Sequence, residues 1–163
     1  MEKQLLSKEA ISDLEKRIQS EEFSSRLYED MSLWFEDKGY VNLAKLYSKH
    51  SAEEMSHAKF AKDFLLSYNL KPCLKVLQSP EAEYSSCLDV LEATRDHEIL
   101  VTNECQSLAQ GALKRGEMTL FSLGQKYCTE QIEELKKSYD LISSYKLSTC
   151  DLFFDHYVGE NYN

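Results

Sequence analysis

The sequence predicts an all-α protein: a four-helix bundle in which one long crossover joins two helical hairpins, followed by a short fifth helix. Glycine and proline are scarce, with 5 and 2 residues in a chain of 163, so helices can run far without interruption. Apolar and aromatic residues recur at i, i+3, i+4 and i+7 through four long segments. The long irregular segment, residues 69–86, carries both prolines and separates these segments into two pairs. We expect a single domain over residues 1–163.

The ends of the helices follow from local signals. Ser7 can cap helix one, which is predicted to run to Asp37 and to stop at Lys38-Gly39, because glycine suits a left-handed turn. The other helices are predicted over 40–68, 87–114, 118–145 and 151–158. The two short connections make antiparallel hairpins, whereas residues 69–86 could span roughly 60 Å when extended, enough to follow a whole helix.

Charge and cysteine content exclude several classes of protein. The chain has 19 Lys and Arg against 28 Asp and Glu, a net charge of −9, which disfavours nucleic acid or an anionic membrane as partner. The 5 cysteines are widely spaced and include no Cys-x-x-Cys pair, so neither a disulfide framework nor a zinc knuckle is predicted. The N-terminal segment has no signal peptide and no stretch has the length of a membrane span. We therefore expect a cytoplasmic protein.

Polar residues occupy the middle of each inward-facing helical stripe. Glu21, Glu54 and Gln131 each lie roughly fourteen residues into a helix, and Glu98 lies slightly earlier. Because antiparallel helices of similar length have their middles at one height, these side chains should meet inside the bundle. Buried carboxylates are costly unless they are protonated, paired or bound to a metal. The stripes contain few inward Lys or Arg residues, so a bound cation is the simplest explanation.

The spacing of these residues is that of metal ligands. Glu54 and His57 form a Glu-x-x-His pair, and Gln131 and Glu134 form a Gln-x-x-Glu pair, so each pair projects from one helix face. Di-iron carboxylate bundles combine two Glu-x-x-His pairs with a Glu from each of the other two helices. Here Gln-x-x-Glu replaces the second pair and still offers two oxygen ligands. Oxygen donors with one imidazole suit iron or manganese. His50, one turn before Glu54, is interpreted as a hydrogen-bonded core histidine, and His97 is expected to point away from the site.

At these residues the sequence resembles the bacterial non-haem ferritins of the ferritin-like di-iron carboxylate superfamily. The resemblance covers nearly the whole chain and follows the order of the predicted helices. It is carried by EEFSSRLYEDMSLWF, HSAEEMSHAKF, SPEAEYSS, DHEILVT and YCTEQIEELKK.

The resemblance implies a ferroxidase site and its ligands. The first iron would be held by Glu21, Glu54 and His57, with Glu54 bridging to the second iron. The second iron would be held by Glu98 and Glu134, with Gln131 beside it. Tyr28 matches a tyrosine next to this centre. A third iron site is implied at Glu53, Glu130, Glu133 and Glu134.

Two related families differ at identifiable residues. Bacterioferritin has a second Glu-x-x-His pair where this chain has Gln131 and Glu134, and it binds haem between subunits through a methionine near Met55. We interpret Met55 as a packing residue and expect no haem. The starvation-type mini-ferritins build their site between subunits and would lack this set of ligands from four helices.

The resemblance further implies an iron-storage function. The chain would oxidise Fe(II) to Fe(III) with O2 or H2O2 and store ferric oxyhydroxide inside a cage of twenty-four identical subunits. Leu152, Phe153 and Phe154 form an apolar patch that a monomer would expose, and the fifth helix would pack at a four-fold axis. Two alternatives remain: a di-iron oxidase or reductase of the same superfamily that acts on a small organic substrate, and a passive cage subunit.

Overall fold

Long amphipathic segments fold into five helices in the computed structural model, which describes residues 5–163. The helices are α1 (Lys8–Lys38), α2 (Val41–Ser67), α3 (Cys87–Arg115), α4 (Met118–Leu147) and α5 (Asp151–Asn161). The all-α prediction is confirmed, since residues 5–163 contain no strand. Residues 1–4, which belong to the segment in which no signal peptide was predicted, lie outside the described residues.

Side-chain caps and glycines set the limits of the two hairpins. The hydroxyl of Ser7 accepts a hydrogen bond from the backbone N–H of Ala10 at 3.0 Å, and Ser86 caps α3 in the same way. Gly39 and Gly116 end α1 and α3 with φ of +87° and +73°. Glycine adopts this left-handed conformation without the strain that other residues meet there. The chain therefore reverses direction after α1 and after α3, as predicted.

The crossover follows α1 along its length. The backbone N–H of Cys73 donates to Glu15 Oε1 at 3.0 Å, and Gln19 Nε2 donates to the carbonyl of Val76 at 2.8 Å. Further along, the ring of Tyr84 packs edge-on against Trp34. Contacts that advance together along both segments show that the crossover runs parallel to α1. It thus carries the chain to the opposite end of the bundle, so that α3 runs antiparallel to α1.

The short helix α5 packs against the beginning of α2 and caps it. Tyr40, the N-cap of α2, makes no side-chain cap, and the carboxylate of Asp155 accepts hydrogen bonds from the backbone N–H groups of Asn42 and Leu43 at 3.1 and 2.8 Å. The apolar patch on α5 is only partly exposed: Phe153 is 58% exposed but Phe154 is fully buried. The expectation for Phe154 is therefore wrong, because successive side chains on a helix point in different directions and this one faces the core.

Two apolar clusters fill the ends of the bundle and leave a polar layer between them. One cluster contains Tyr28, Met31, Phe35, Leu43, Tyr47, Val90, Leu141 and Phe154, among others. The other contains Leu14, Ile18, Leu65, Val101, Leu108, Leu120 and Tyr127, among others. Between these two clusters lie the buried polar residues that were predicted for the site: Glu21, Glu54, His57, Glu98 and Gln131.

Candidate metal centre

Four helices bring a carboxylate or an amide to the middle of the bundle. The residues that the sequence placed on the inward stripes are buried there, with exposed fractions of 1% for Glu21, 3% for Glu54 and Glu98, and 2% for Gln131. Glu134 is slightly more accessible, with its side chain 11% exposed. Carboxylates buried to this degree carry a large desolvation penalty, which a bound cation would relieve.

Glu21, Glu54 and His57 form the first group of candidate ligands. Each offers a ligand atom, and these atoms lie within 4.8 Å of one another. His57 Nδ1 lies 3.2 Å from Glu54 Oε2 and 4.0 Å from Glu21 Oε2. Glu21 Oε2 is buried and accepts no hydrogen bond from the described residues. The donor set and this unpaired oxygen fit a hard or borderline divalent cation such as Fe(II).

Glu98 connects this group to α4 and to Tyr28. Tyr28, which is fully buried, donates a hydrogen bond from its hydroxyl to Glu98 Oε1. Gln131 Nε2 donates to Glu98 Oε2 at 2.8 Å. Both oxygens of Glu98 are thereby oriented, as expected of a ligand whose direction must be maintained. Tyr28 lies next to the carboxylate cluster, where the resemblance implied it.

The carboxylates influence one another's protonation. Burial raises the pKa of Glu54 to about 7, and the charges of Glu98 and Glu134 contribute to the rise. Burial also raises the pKa of Glu21 well above its usual value, although Arg17 acts in the opposite direction. The pKa of Glu98 is raised by burial too. A metal ion bound among these groups would replace protons, so metal binding and proton release should be coupled.

A second group of candidate ligands lies beside the first. His50, Glu53 and Glu134 offer ligand atoms within 4.8 Å of one another. His50 is buried among aromatic rings, with Tyr28 edge-on at 5.9 Å, and it presents a ring nitrogen to this group. His50 is therefore a buried core histidine, as predicted, and also a candidate ligand.

The structure does not assemble the whole of the implied third iron site. It brings Glu53 and Glu134 together with His50, but Glu130 is half-buried and Glu133 is exposed, and neither joins a group of close ligand atoms among the described residues. Both residues lie on α4 within a turn of Glu134, so their participation in metal binding stays a prediction.

Arg17 is the site residue that sequence reasoning missed. Few inward cations were expected, yet Arg17 is only 3% exposed and its Nε lies 2.9 Å from Glu21 Oε1. Its Nη1 lies 3.2 Å from Oε2 of Glu104 on α3. The signal was present in the sequence, because Arg17 precedes Glu21 by four residues and so shares its helix face.

Two further predictions concern residues beside the site. His97 is hydrogen-bonded to Ser24, with 2.8 Å between its Nε2 and the hydroxyl, and belongs to neither group of ligand atoms, as expected. Met55 is 45% exposed in the single chain, so its side chain is not part of the core, and the packing role stays a prediction. It follows Glu54 directly, and adjacent helical residues point about 100° apart.

A four-helix bundle with buried carboxylates and an imidazole at its centre defines the class of carboxylate-ligated metalloproteins. Within that class, the chain belongs to the ferritin family: the family model described as a ferritin-like domain matches residues 11–148.

Known relatives agree with this assignment over most of the chain. The bacterial non-heme ferritin of Escherichia coli O157:H7 is 32% identical over 144 residues, which cover 88% of this chain and 87% of that protein. The bacterial non-heme ferritin of Campylobacter jejuni is 29% identical over 143 residues, 88% of this chain and 86% of that protein.

Solved structures confirm the predicted ferritin-like bundle. An open pore ferritin from the archaeon Archaeoglobus fulgidus superposes with a TM-score of 0.90 at 25% identity, covering 94% of this chain and 98% of that one. Among residues 5–163, none of the helices combines the length and the hydrophobicity that a membrane span requires.

Proposed function

We propose that the protein is a ferroxidase that oxidises Fe(II) to Fe(III) with O2 or H2O2 and stores the product as ferric oxyhydroxide. Membership of the ferritin family supports iron storage and iron oxidation in general. The observation that carries the proposal for this chain is the buried group of Glu21, Glu54 and His57, whose ligand atoms lie within 4.8 Å of one another.

The proposed ligands divide between two iron positions. Glu21, Glu54 and His57 would hold one Fe(II). Glu98 and Glu134, with Gln131 beside them, would hold the other, and Glu54 would lie between the two. Anionic oxygen donors stabilise the higher charge of Fe(III) relative to Fe(II), so this ligand set favours loss of an electron from each iron. Tyr28 would orient Glu98 through the hydrogen bond that it donates.

The reaction balances with either oxidant. Two Fe(II) ions lose one electron each. Dioxygen takes up both electrons with two protons to give hydrogen peroxide, or hydrogen peroxide takes them up with two protons to give two molecules of water. Each Fe(III) then combines with two water molecules to form ferric oxyhydroxide and releases three protons. Burial raises the pKa of Glu54 in the metal-free chain to about 7, so protons held by the carboxylates of the centre would be released when iron binds.

Storage would require assembly into a closed shell. We propose a homo-oligomeric cage of twenty-four subunits, in which the exposed Leu152 and Phe153 of α5 contact other subunits. The net charge of −9 suits a container for cations. A third iron site would use Glu53 and Glu134, with Glu130 and Glu133 nearby. Location in the cytoplasm and function without haem stay predictions.

Aerobic oxidation of Fe(II) tests the proposal. The wild-type protein should produce the near-ultraviolet absorbance of the ferric product rapidly, and a Glu54→Ala/His57→Ala double variant should be slow. A His156→Ala/Glu160→Ala variant provides a matched control, because it removes a Glu–His pair that is exposed on α5. Equal rates in the wild type and the Glu54/His57 variant would mean that these residues do not carry the oxidation.

Gel filtration separates the alternatives. Chains of 18.9 kDa that assemble into a ferritin cage should elute at several hundred kilodaltons, whereas an oxidase acting on a small substrate should elute as a small oligomer. A passive cage subunit would elute as a large particle but would oxidise Fe(II) no faster than the Glu54/His57 variant.

A further inference from the structure

Arg17 places a buried guanidinium directly against a proposed iron ligand. Its Nε lies 2.9 Å from Glu21 Oε1, an ion pair without the alignment of a hydrogen bond. Its Nη1 lies 3.2 Å from Glu104 Oε2 and 3.4 Å from the sulfur of Cys105. Its Nη2 is buried and has no hydrogen-bond partner among the described residues. A charge that is kept in the interior at this cost needs an explanation beyond packing.

The two oxygens of Glu21 face different partners. Oε1 lies against the guanidinium of Arg17, whereas Oε2 is unpaired and lies 4.0 Å from His57 Nδ1. Glu21 thus presents one oxygen to the position that Glu54 and His57 also face. The other oxygen is held by a positive charge that belongs to the protein.

Arg17 is itself held in place from the side of α3. Glu104 Oε2, which pairs with Arg17, also accepts a hydrogen bond from the hydroxyl of Ser20 at 2.6 Å. The ring centroid of Tyr127 lies 5.8 Å from the guanidinium carbon. With these contacts on several sides, the guanidinium cannot easily turn away when a cation enters the site.

We propose that Arg17 is a positioning residue, which leaves Glu21 only one oxygen to bind the metal ion. Arg17 also lowers the affinity of the first iron position for its cation, so that Fe(III) can leave after oxidation. The proposal rests on the proposed ferroxidase function. Repulsion by the guanidinium grows with the charge of the ion, so Fe(III) is destabilised more than Fe(II). Arg17 thereby offsets part of the preference for Fe(III) that the carboxylates create.

Binding of Co(II), an ion that resembles Fe(II) and withstands air, measures the effect without any oxidation step. In an Arg17→Met variant, which keeps much of the side-chain volume but removes the charge, Co(II) should bind at least about tenfold more tightly at the first position. An Arg17→Lys variant keeps the charge and should bind as the wild type does. Arg26→Met makes the same change of charge at an exposed position of α1 and should leave the affinity unchanged.

Repeated addition of Fe(II) then separates oxidation from product release. The first addition, of two Fe(II) per chain, should be oxidised by Arg17→Met at least as fast as by the wild type, because removal of the guanidinium favours Fe(III) over Fe(II). Later additions should be oxidised several-fold more slowly by the variant, because Fe(III) leaves the centre more slowly. A purely structural role predicts the opposite pattern, with weaker Co(II) binding and a slower first addition.

The outcomes distinguish this proposal from the proposed function. Unchanged or weaker Co(II) binding by a folded Arg17→Met variant overturns the role of Arg17 and leaves the metal centre intact. Failure of the wild type to bind Co(II) overturns both. If Arg17→Met does not fold, Glu104→Gln is tested in its place. This variant removes a carboxylate that compensates the guanidinium, so the guanidinium should repel Co(II) more and Co(II) should bind several-fold more weakly. An unchanged affinity overturns the proposal.

Discussion

The ammonium group of Lys137 lies 3.0 Å from Oε1 of Glu134, a carboxylate that also belongs to the group formed with His50 and Glu53. Partial burial lowers the pKa of Lys137, but the charges of Glu134, Glu53 and Glu133 outweigh this effect and raise it. The chain thus supplies its own cation to the second group of candidate ligands, and a metal ion would have to compete with it.

Replacement of Lys137 should strengthen metal binding at the second group. In Lys137→Met, Co(II) or Zn(II) should bind to the group of His50, Glu53 and Glu134 several-fold more tightly, since a competing positive charge is gone. The effect is moderated by solvent, because the lysine side chain is 40% exposed. Calorimetric titration measures both the affinity and the number of ions bound per chain.

Lys136→Met is the matched control for this variant. Lys136 is the neighbouring residue, pairs with Asp140 on the exposed face of α4, and carries the same charge. If both variants change metal binding equally, the effect reflects net charge alone, and the specific relationship between Lys137 and Glu134 has no role.

The metal-free protein should lose stability as the pH rises through 7. Glu54 has a pKa of about 7 in the folded chain but about 4.3 when unfolded. Because the raised pKa favours the protonated form, the stability that it contributes is complete below about pH 4.3 and is lost as the pH rises through about 7. Thermal unfolding of the metal-free protein from about pH 6.5 to 8 should show a fall in Tm.

A Glu54→Gln variant isolates this contribution. It should show a smaller fall in Tm over the same range, and added Zn(II) should restore the wild type above pH 7. The titration begins at about pH 6.5 because two histidines act in the opposite direction below that pH. Burial lowers the pKa of His50 and His97 to about 4 in the folded chain. They therefore reduce stability as the pH falls below about 6.5, their pKa in the unfolded chain. A Tm that rises with pH in the metal-free wild type would contradict the prediction.

Helices α3 and α4 approach each other closely at Gly124. A Cβ atom added there would lie 2.8 Å from the Cα of Ala109, which belongs to the backbone and cannot move aside. Gly124→Ala should therefore lower the free energy of unfolding by about 1–3 kcal/mol, as overpacked core variants do. Urea unfolding measures the loss.

Gly111→Ala provides the contrast on α3. There the nearest atom to an added Cβ is the flexible end of Arg115, at 3.1 Å, so alanine should raise stability by up to about 1 kcal/mol through its helix propensity. Similar effects of the two substitutions would show that helix propensity, and not close approach, governs both positions.

Asp155 stabilises the start of α2 from a distance of more than one hundred residues in sequence. Asp155→Ala should lower the free energy of unfolding by about 1–2 kcal/mol, as loss of an N-cap does, because the backbone N–H groups of Asn42 and Leu43 lose their acceptor. Glu160→Ala on the exposed face of α5 should be neutral in the same urea titration. Equal stabilities of Asp155→Ala and the wild type would rule out this capping role.

Much of the candidate metal centre was predictable, because the spacing of residues along a helix determines the directions in which their side chains point. Glu54 and His57, three residues apart, had to share a face of α2. Glu21, Glu98 and Gln131 had to lie at one height, because each stands near the middle of a helix of similar length. The limits of the helices were equally local, since Gly39 and Gly116 stop α1 and α3 by their own conformation.

Other features depended on which helices become neighbours. The spacing of Arg17 and Glu21 was visible in the sequence, but the burial of Arg17 depends on the packing of α3 and α4, which bring Cys105 and Tyr127 against its guanidinium. His50 joined a ligand group only because α4 places Glu134 beside it. The burial of Phe154 required α5 to fold back onto the start of α2, where Asp155 binds.

The sequence by itself determined the five helices, their hairpin pairing and the identity of the central carboxylates, because these follow from periodicity and from local caps. Only the tertiary structure decided how the charges in the middle of the bundle are balanced. Arg17 compensates Glu21, and Lys137 compensates Glu134. Ion pairing inside a protein depends on distances of a few ångströms between side chains and on the exclusion of water around them, and both quantities exist only after the helices have packed.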